Sequence, residues 1–437
     1  MPSPSCCPYT IEAFFQQFGE FEVIWLKILL ACYWPLPHLG GVWPYMLQIK
    51  NRLERLGHDV DLFGNGPDIA KYYMVYQNRE VPKTEILPML KAKLPPGSFP
   101  ALHTDPWIFS VETDRYCMEL SAASFGLSKY DVIHCQDVIS ALALSRVKSP
   151  HTGLVASVHG SLAREVMLSL ENDPEVNINL SPIWKYYKTI EYLGATAGDI
   201  TITSTRWMAN LLIRDFGVPN KQLRTFPYGL DDEKFLAAAS LGTAFPKPAG
   251  KKVLICPARL VYIKGLQHLL PALAILKNKR TDWVCWIIGE GDMRAQLELQ
   301  SRKLGLGMDV VFLGHRDDVP ALLTKGDIFV HPSIQDNQPF SVMEAQLAGL
   351  PSVVSDAGGL PEAVEHKKTG LVSPVGDIYQ LAEHLFQLLD NDKQRTAYGW
   401  RAKAWAEEQW SMSRMVDRLL ATYYHSIELG KARVSKR

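Results

Sequence analysis

Short apolar runs alternate with stretches of helical periodicity along most of the chain from Lys27 onward. KILLACY (27–33) is followed by the Pro- and Gly-rich PLPHLGGV, a helical stretch to about Leu56, and HDVDLFG (58–64). That order has the length of a βαβ unit. DVIHCQ (131–136), GLVASVH (153–159) and DITITS (199–204) continue the series. Apolar runs that end in polar or small residues suit parallel strands buried on both faces. The pattern pauses over 236–250, LAAASLGTAFPKPAG, a small-residue and Pro-containing segment that reads as a linker. It resumes with KVLICP (252–257), WVCWIIG (283–289), DVVFLG (309–314), DIFVHPS (327–333) and PSVVSD (351–356). The prediction is α/β: two doubly wound Rossmann-like domains at 26–240 and 245–410. Helix is expected from about Arg395 to Leu429, and the segment 411–437 is expected to cross back to the first domain. Active groups in such sheets gather at the carboxyl ends of the strands.

Two stretches fit this pattern poorly. Residues 65–130 carry Tyr72, Tyr73, Tyr76, Trp107, Phe109 and Tyr116 among Pro and Lys residues. They read either as helices packing aromatics inward or as a mobile acceptor-binding region. Residues 1–25 have no clean period and lack the basic start and small-residue cleavage site of a signal peptide, so an N-terminal extension is expected. The apolar run 28–37 contains Pro35 and Pro37 and is too short to cross a bilayer.

Composition narrows the function classes. The 46 basic and 46 acidic residues cancel, which argues against nucleic-acid binding through a basic surface. With 47% hydrophobic residues the chain has ample material for packed cores, so extended disorder is excluded. The seven cysteines are scattered, without zinc-like spacing or the density of a disulfide framework. A cytoplasmic protein is expected, with contact at the inner face of a membrane left open.

Candidate chemistry concentrates in the second half. In DNQPFSVME, Pro339 suits the first turn of a helix, which puts Asp336 in the loop before it and Glu344 more than one turn inside. The free N–H groups near 338–341 would form an anion site between the two carboxylates. In ARLVYIKG, Arg259 and Lys264 follow a strand and emerge at the same carboxyl edge. Two fixed cations near a helix N-terminus suit a diphosphate whose charge grows as a bond breaks. Asp231, Asp232 and Glu233 read as a helix start and not as a metal-binding acidic motif.

ARLVYIKG, GEGDMRAQLE, VVFLGHRDDVPALLTKGDIFVHPS, DNQPFSVMEAQLAGLPSVVSDAGGLPEAV and KKTGLVSPVGD together resemble the C-terminal domain of retaining GT-B glycosyltransferases of glycosyl group 1, the GT4 family. LGGV, SVHGS, TSTRWM and YGLDDEKF extend the resemblance into the first half. It implies that Arg259 and Lys264 hold the donor diphosphate, Glu344 binds the ribose hydroxyls, and Asp336 contacts the transferred sugar. It further implies that amides of Phe340 and Ser341 meet phosphate or sugar oxygens, and that Gly314, His315 and Arg316 lie in the base-binding loop. Gly40 and Gly41 match glycines that let backbone approach the diphosphate, and His159 matches a histidine near the reaction centre; His134 is read as structural. Three positions depart from the family: Asp336 replaces the usual Glu, Pro339 a frequent Gly, and Tyr228 the Asn before Gly229.

The resemblance implies a retaining, metal-independent hexosyltransferase with no cofactor besides its nucleotide-sugar donor, most often UDP-linked in this family. Closure of two domains would exclude water from it. The acceptor is open among a glycan, a lipid carrier and a small natural product. Two rivals are a UDP-sugar epimerase-like enzyme of the same fold and a non-catalytic two-domain sugar- or nucleotide-binding protein.

Overall fold

The structure, a computed structural model, describes residues 25–37, 40–171, 177 and 181–435. The expected extension 1–25 therefore lies outside the described residues apart from Trp25. The chain divides into two compact units. One runs to Thr203 and adds Ala209–Phe226 and Ser413–Arg437; the other comprises Ser204–Met208 and Pro227–Met412.

The first unit contains β1 (Lys27–Pro35), β2 (Asp59–Asn65), β3 (Lys71–Val75), β4 (Arg79–Pro82), β5 (Val132–Cys135), β6 (Gly153–Val158), β7 (Ile200–Thr203) and β8 (Leu223–Thr225). Their spatial order is β4-β3-β2-β1-β5-β6-β7-β8. Strands β2-β1-β5-β6-β7-β8 are parallel, and β5, β6 and β7 are buried along their whole length. The sheet is not wholly parallel, because β3 and β4 form an antiparallel hairpin beside β2. That hairpin sits in the stretch 65–130 that the pattern left unresolved. Its aromatics divide: Tyr72 is fully buried with its hydroxyl 3.1 Å from Asp114, while Tyr76 and Trp107 are exposed. Helices Lys83–Lys93 and Pro106–Ser124 follow, the second capped by Asp105 accepting the Trp107 N–H at 2.7 Å.

The second unit contains β9 (Lys252–Pro257), β10 (Trp283–Ile288), β11 (Val310–Gly314), β12 (Ile328–His331), β13 (Ser352–Ser355) and β14 (Gly370–Ser373). All are parallel, in the order β11-β10-β9-β12-β13-β14. The chain proceeds outward from β9 to one side and then restarts at β12 on the other. This reversal makes the carboxyl ends of β9 and β12 the topological switch point, where ligands of open α/β sheets bind. Leu266, Leu269, Leu270 and Leu273 of the helix Leu266–Lys277 pack over β9 and β10 to anchor that edge. Residues 236–240 of the expected linker are helical, as the end of Asp232–Ser240.

The expected C-terminal helix is two helices, Asp392–Gln409 and Met412–Ser435. Trp410 causes the break. Its ring nitrogen donates to Gln346 at 2.8 Å and its carbonyl accepts from Leu230 at 2.9 Å, which holds this turn in the second unit. The last helix then belongs to the first unit, where Tyr423 is fully buried and its hydroxyl lies 2.8 Å from His134 Nδ1. No helix among the described residues is long and apolar enough to cross a membrane.

Candidate active site

The switch point of the second unit brings together two of the residues singled out from sequence. After β9 the chain passes Arg259 and makes a 3-10 turn over Tyr262–Lys264. Gly265 ends the turn at φ +69, and a Cβ there would stand 2.0 Å from the Pro332 carbonyl oxygen. Only a residue without a Cβ allows this approach. The Ile334 N–H donates to the Ile263 carbonyl at 2.8 Å and completes the lacing of the two loops. Lys264 Nζ consequently reaches Asp336 Oδ2 at 2.5 Å, with both side chains nearly buried. Arg259 stands apart. It is exposed and makes no side-chain hydrogen bond or ion pair among the described residues.

Asp336 is enclosed by donors. His331 Nε2 lies 2.7 Å and Ser333 Oγ 3.2 Å from the same oxygen, and the Asn337 N–H donates to Oδ1 at 3.1 Å. Burial alone would push this carboxyl up, but the Lys264 ammonium and then His331 outweigh it and hold Asp336 far below the usual carboxylate range. Burial lowers the pKa of His331 despite Asp336, so the ring is neutral near pH 7. Neither His331 nor Ser333 was identified from sequence. The HPS run was read only as the end of a strand, although it places both residues within five positions of Asp336.

Four residues after Asp336 begins the helix Phe340–Leu347. Pro339 is its extended N-cap (ψ 132°), one position earlier than the expected first-turn placement, and no side chain caps the helix. Ser341 makes no hydrogen bond through its N–H or hydroxyl to a described residue. Phe340 stacks on Tyr228 at 5.8 Å and 12°, and the Tyr228 N–H donates to Gln338 Oε1 at 2.9 Å. Tyr228 thus acts as an aromatic floor under the helix start. Glu344 lies one turn in, half-buried, and its carboxylate has no partner among the described residues; burial pushes its pKa up to about 7.

Gly314 ends β11 at φ +70. His315 and Arg316 follow at the surface, with Arg316 bound to Asp318 through two hydrogen bonds of 2.8 and 2.6 Å. Asp231 caps the helix Asp232–Ser240, accepting the Lys234 N–H at 3.0 Å, so this acidic run starts a helix.

In the first unit, β1 and β5 flank the corresponding reversal of strand order. Gly40 has φ +146, a conformation open to glycine, and Gly41 is the N-cap of helix Val42–Arg55, whose first turn holds no acidic residue and has no side-chain cap among the described residues. His159 follows β6 directly. Its Nε2 lies 3.0 Å from Gln136 Oε1, and its ring meets Tyr45 edge-on at 5.0 Å. His134 is buried between Tyr423 and Ser157, a structural placement.

Comparisons with known proteins agree with this architecture. Residues 243–405 match the family model described as glycosyl transferases group 1, and residues 39–234 match glycosyltransferase family 4. The MMP alpha-(1->4)-mannosyltransferase of Mycolicibacterium hassiacum is 25% identical over 432 residues, 92% of this chain and 98% of that protein. The N-acetyl-alpha-D-glucosaminyl L-malate synthase of Bacillus anthracis is 22% identical over 91% of this chain and 97% of its own. Among solved structures, Anabaena HepE in complex with UDP-glucose aligns with a TM-score of 0.65 at 19% identity, covering 92% of this chain and all of that one. A sucrose-phosphate synthase of Thermosynechococcus elongatus aligns with a TM-score of 0.69 at 16% identity, covering 92% and 99%.

Proposed function

This chain belongs to the group 1, family 4 glycosyltransferases, and we propose that it moves a sugar from a UDP-linked donor to a hydroxyl acceptor, with retention of configuration and without a metal ion. The observation that carries this reading is the Lys264 ammonium at the β9/β12 switch point, in a loop laced to the one that leads into the uncapped helix Phe340–Leu347. A cation and free helix N–H groups are the two elements a diphosphate requires. The UDP and UDP-glucose bound to HepE support a uridine nucleotide as donor carrier.

In this mechanism Lys264 and Arg259 offset the charge that gathers on the diphosphate as the bond from the sugar C1 to its oxygen breaks. The acceptor oxygen bonds to C1 on the face the diphosphate leaves, and its proton passes to a phosphate oxygen. Glu344 accepts hydrogen bonds from the ribose, and the Ser341 amide and hydroxyl meet a phosphate or sugar oxygen. Gly314, His315 and Arg316 border the base.

The test is thermal stabilisation by UDP, GDP and ADP, on the native protein and on Lys264→Ala. A ligand at 100 times its Kd stabilises the native state by about 2.7 kcal/mol, a shift of several degrees. UDP alone is expected to raise the melting temperature, and Lys264→Ala to lose at least half of the response while staying folded. Stabilisation by none of the three would remove the reading.

A further inference from the structure

The Asp336 carboxylate is held by one of its two oxygens. Lys264 Nζ, His331 Nε2 and Ser333 Oγ all converge on Oδ2, at 2.5, 2.7 and 3.2 Å. Oδ1 takes a single donor among the described residues, the Asn337 N–H at 3.1 Å. Each carboxylate oxygen offers two lone pairs, so Oδ2 is crowded while Oδ1 keeps an acceptor site open. The side chain retains 12% exposure and is not sealed from a ligand. The backbone beneath it is fixed. The Gly359 N–H donates to the Asp336 carbonyl at 3.0 Å, and a Cβ on Gly358 would stand 1.9 Å from that oxygen.

Burial decides where the protons of this cluster lie. His331 is 1% exposed, and its Nδ1 has no hydrogen-bond partner among the described residues. A neutral ring carries one proton, and a bare Nε2 lone pair 2.7 Å from a carboxylate oxygen would be repelled by it. The proton therefore sits on Nε2 and is donated to Oδ2. Ser333 Oγ is 3.0 Å from the same nitrogen, and with Nε2 a donor its own proton also turns to Oδ2. The ring is kept in plane by Phe329, stacked at 6.0 Å and 10°, and the Ser333 carbonyl accepts from Ser355 Oγ at 2.5 Å. A buried ring nitrogen without a partner costs stability, and an apolar ring would fill this place in a core without that cost. What the imidazole supplies here is the donor on its other nitrogen.

We propose that His331, assisted by Ser333, is a positioning residue for the donor sugar: it fixes the Asp336 carboxylate through Oδ2 so that Oδ1 accepts one sugar hydroxyl. This rests on the reading that the donor binds at the β9/β12 switch point with its sugar against Asp336. The departure from the family's usual glutamate fits the same role. An aspartate has one rotatable bond fewer, and with Oδ2 anchored its open lone pair has one direction. The carboxylate then serves a single hydroxyl instead of bridging two hydroxyls with both oxygens.

The experiment is calorimetric titration of the full-length protein with UDP and with UDP-glucose, UDP-galactose and UDP-N-acetylglucosamine. The readout is the affinity for the UDP-sugar that the native protein binds tightest, divided by its affinity for UDP. His331→Phe keeps a flat apolar ring beside Phe329 and removes the donor. It is expected to lower that ratio about 3- to 10-fold, with the affinity for UDP itself changed less than about twofold. His331→Gln, which keeps an N–H donor at a similar reach, is expected to restore the ratio. In Asp336→Ala/His331→Phe the ratio should match that of Asp336→Ala alone, because His331 acts through the carboxylate. Equal losses for UDP and the UDP-sugar in His331→Phe, a selective loss that His331→Gln does not recover, or an unchanged ratio would each overturn the proposal. Should His331→Phe not fold, Ser333→Ala takes its place, with an expected selective loss of about two- to threefold, and an unchanged ratio there overturns it. A native protein that binds UDP but none of the three UDP-sugars would also overturn it and leave the nucleotide site standing. Absence of binding of UDP, GDP and ADP would instead take down the transferase reading.

Discussion

Glu344 and Asp336 are eight residues apart, and burial acts on both, but their neighbours send them in opposite directions. Asp336 is ionised at every working pH because Lys264 and His331 stand against it. Glu344 has no such partner among the described residues, and burial moves its carboxyl to about 7. Ribose hydroxyls would donate to its ionised form, so nucleotide binding drives its proton out. UDP binding at pH 7 should therefore release roughly half a proton and tighten as pH rises through 7, then level off. Titration in two buffers of different ionisation enthalpy measures this directly. Glu344→Gln should abolish the proton release and weaken UDP by about tenfold, the loss of a charge-assisted hydrogen bond. Affinity independent of pH between 6 and 8 would deny Glu344 the ribose. The same shift has a folding consequence of opposite sense. Because the unfolded carboxyl ionises first, Glu344 makes the native state less stable as pH climbs from about 4.5 to 7.

Among the elements, the loops laced at the β9/β12 switch point decide whether Lys264 is presented at all. Gly265 combines two constraints, a left-handed φ of +69 and the close Pro332 carbonyl. Gly305 has nearly the same φ of +66 with nothing within 4 Å of a Cβ, and so serves as its control. Gly305→Ala should cost only the left-handed conformation, about 1–2 kcal/mol. Gly265→Ala should cost more, and it alone should weaken UDP binding, by about tenfold, because the turn carrying Lys264 must move. Equal affinities in the two variants would mean that the turn relaxes without displacing Lys264. Much of this scale was legible in the chain. Runs such as KVLICP and WVCWIIG become strands because they are long, apolar and bounded by loops. The β3–β4 hairpin was not legible, since KYYMV is only five residues long and REVP has no buried position and no apolar alternation. Strand β8 is only three residues, too short for any period to show. At the site, Lys264 and Asp336 were recognisable from residue type and position. The dependence of one on the other, through His331 and Ser333, comes from strand order, which brings together two loops 72 residues apart.

At the scale of the whole molecule, the chain ends by returning to the unit where it began, and two buried ionisable groups there shape its response to pH. Helix Met412–Ser435 seals the amino-terminal edge of β6 through Asp199, which accepts from Leu154 N–H at 2.8 Å and Ser426 Oγ at 2.9 Å and pairs with Arg433. Tyr423 on the same helix faces His134, whose pKa burial lowers to about 3, with His159 adding to the effect. His134 is neutral in the fold but protonated in the unfolded chain below 6.5, so its contribution to stability is lost as pH falls from 6.5 toward 3. Glu191 works from the other side. Fully buried, it accepts the Ala163 N–H at 3.0 Å, and burial, reinforced by Glu165, pushes its pKa up to about 8. The unfolded carboxyl ionises near 4.5 while the folded one keeps its proton, so stability falls as pH rises from 4.5 to 8, by on the order of a few kcal/mol. The two slopes oppose each other between 4.5 and 6.5, and only the decline remains above that. Glu191→Gln keeps an acceptor for Ala163 and removes the ionisation. Its melting temperature should equal that of the native protein near pH 4.5, exceed it by several degrees at pH 8, and hold that margin above. A margin that stayed flat across this range would mean that Glu191 is ionised in the fold and that its charge is balanced by a cation. The Ala163 cap would then be a charged one, and helix Leu162–Glu171, directly after His159, would be tied to that ion pair.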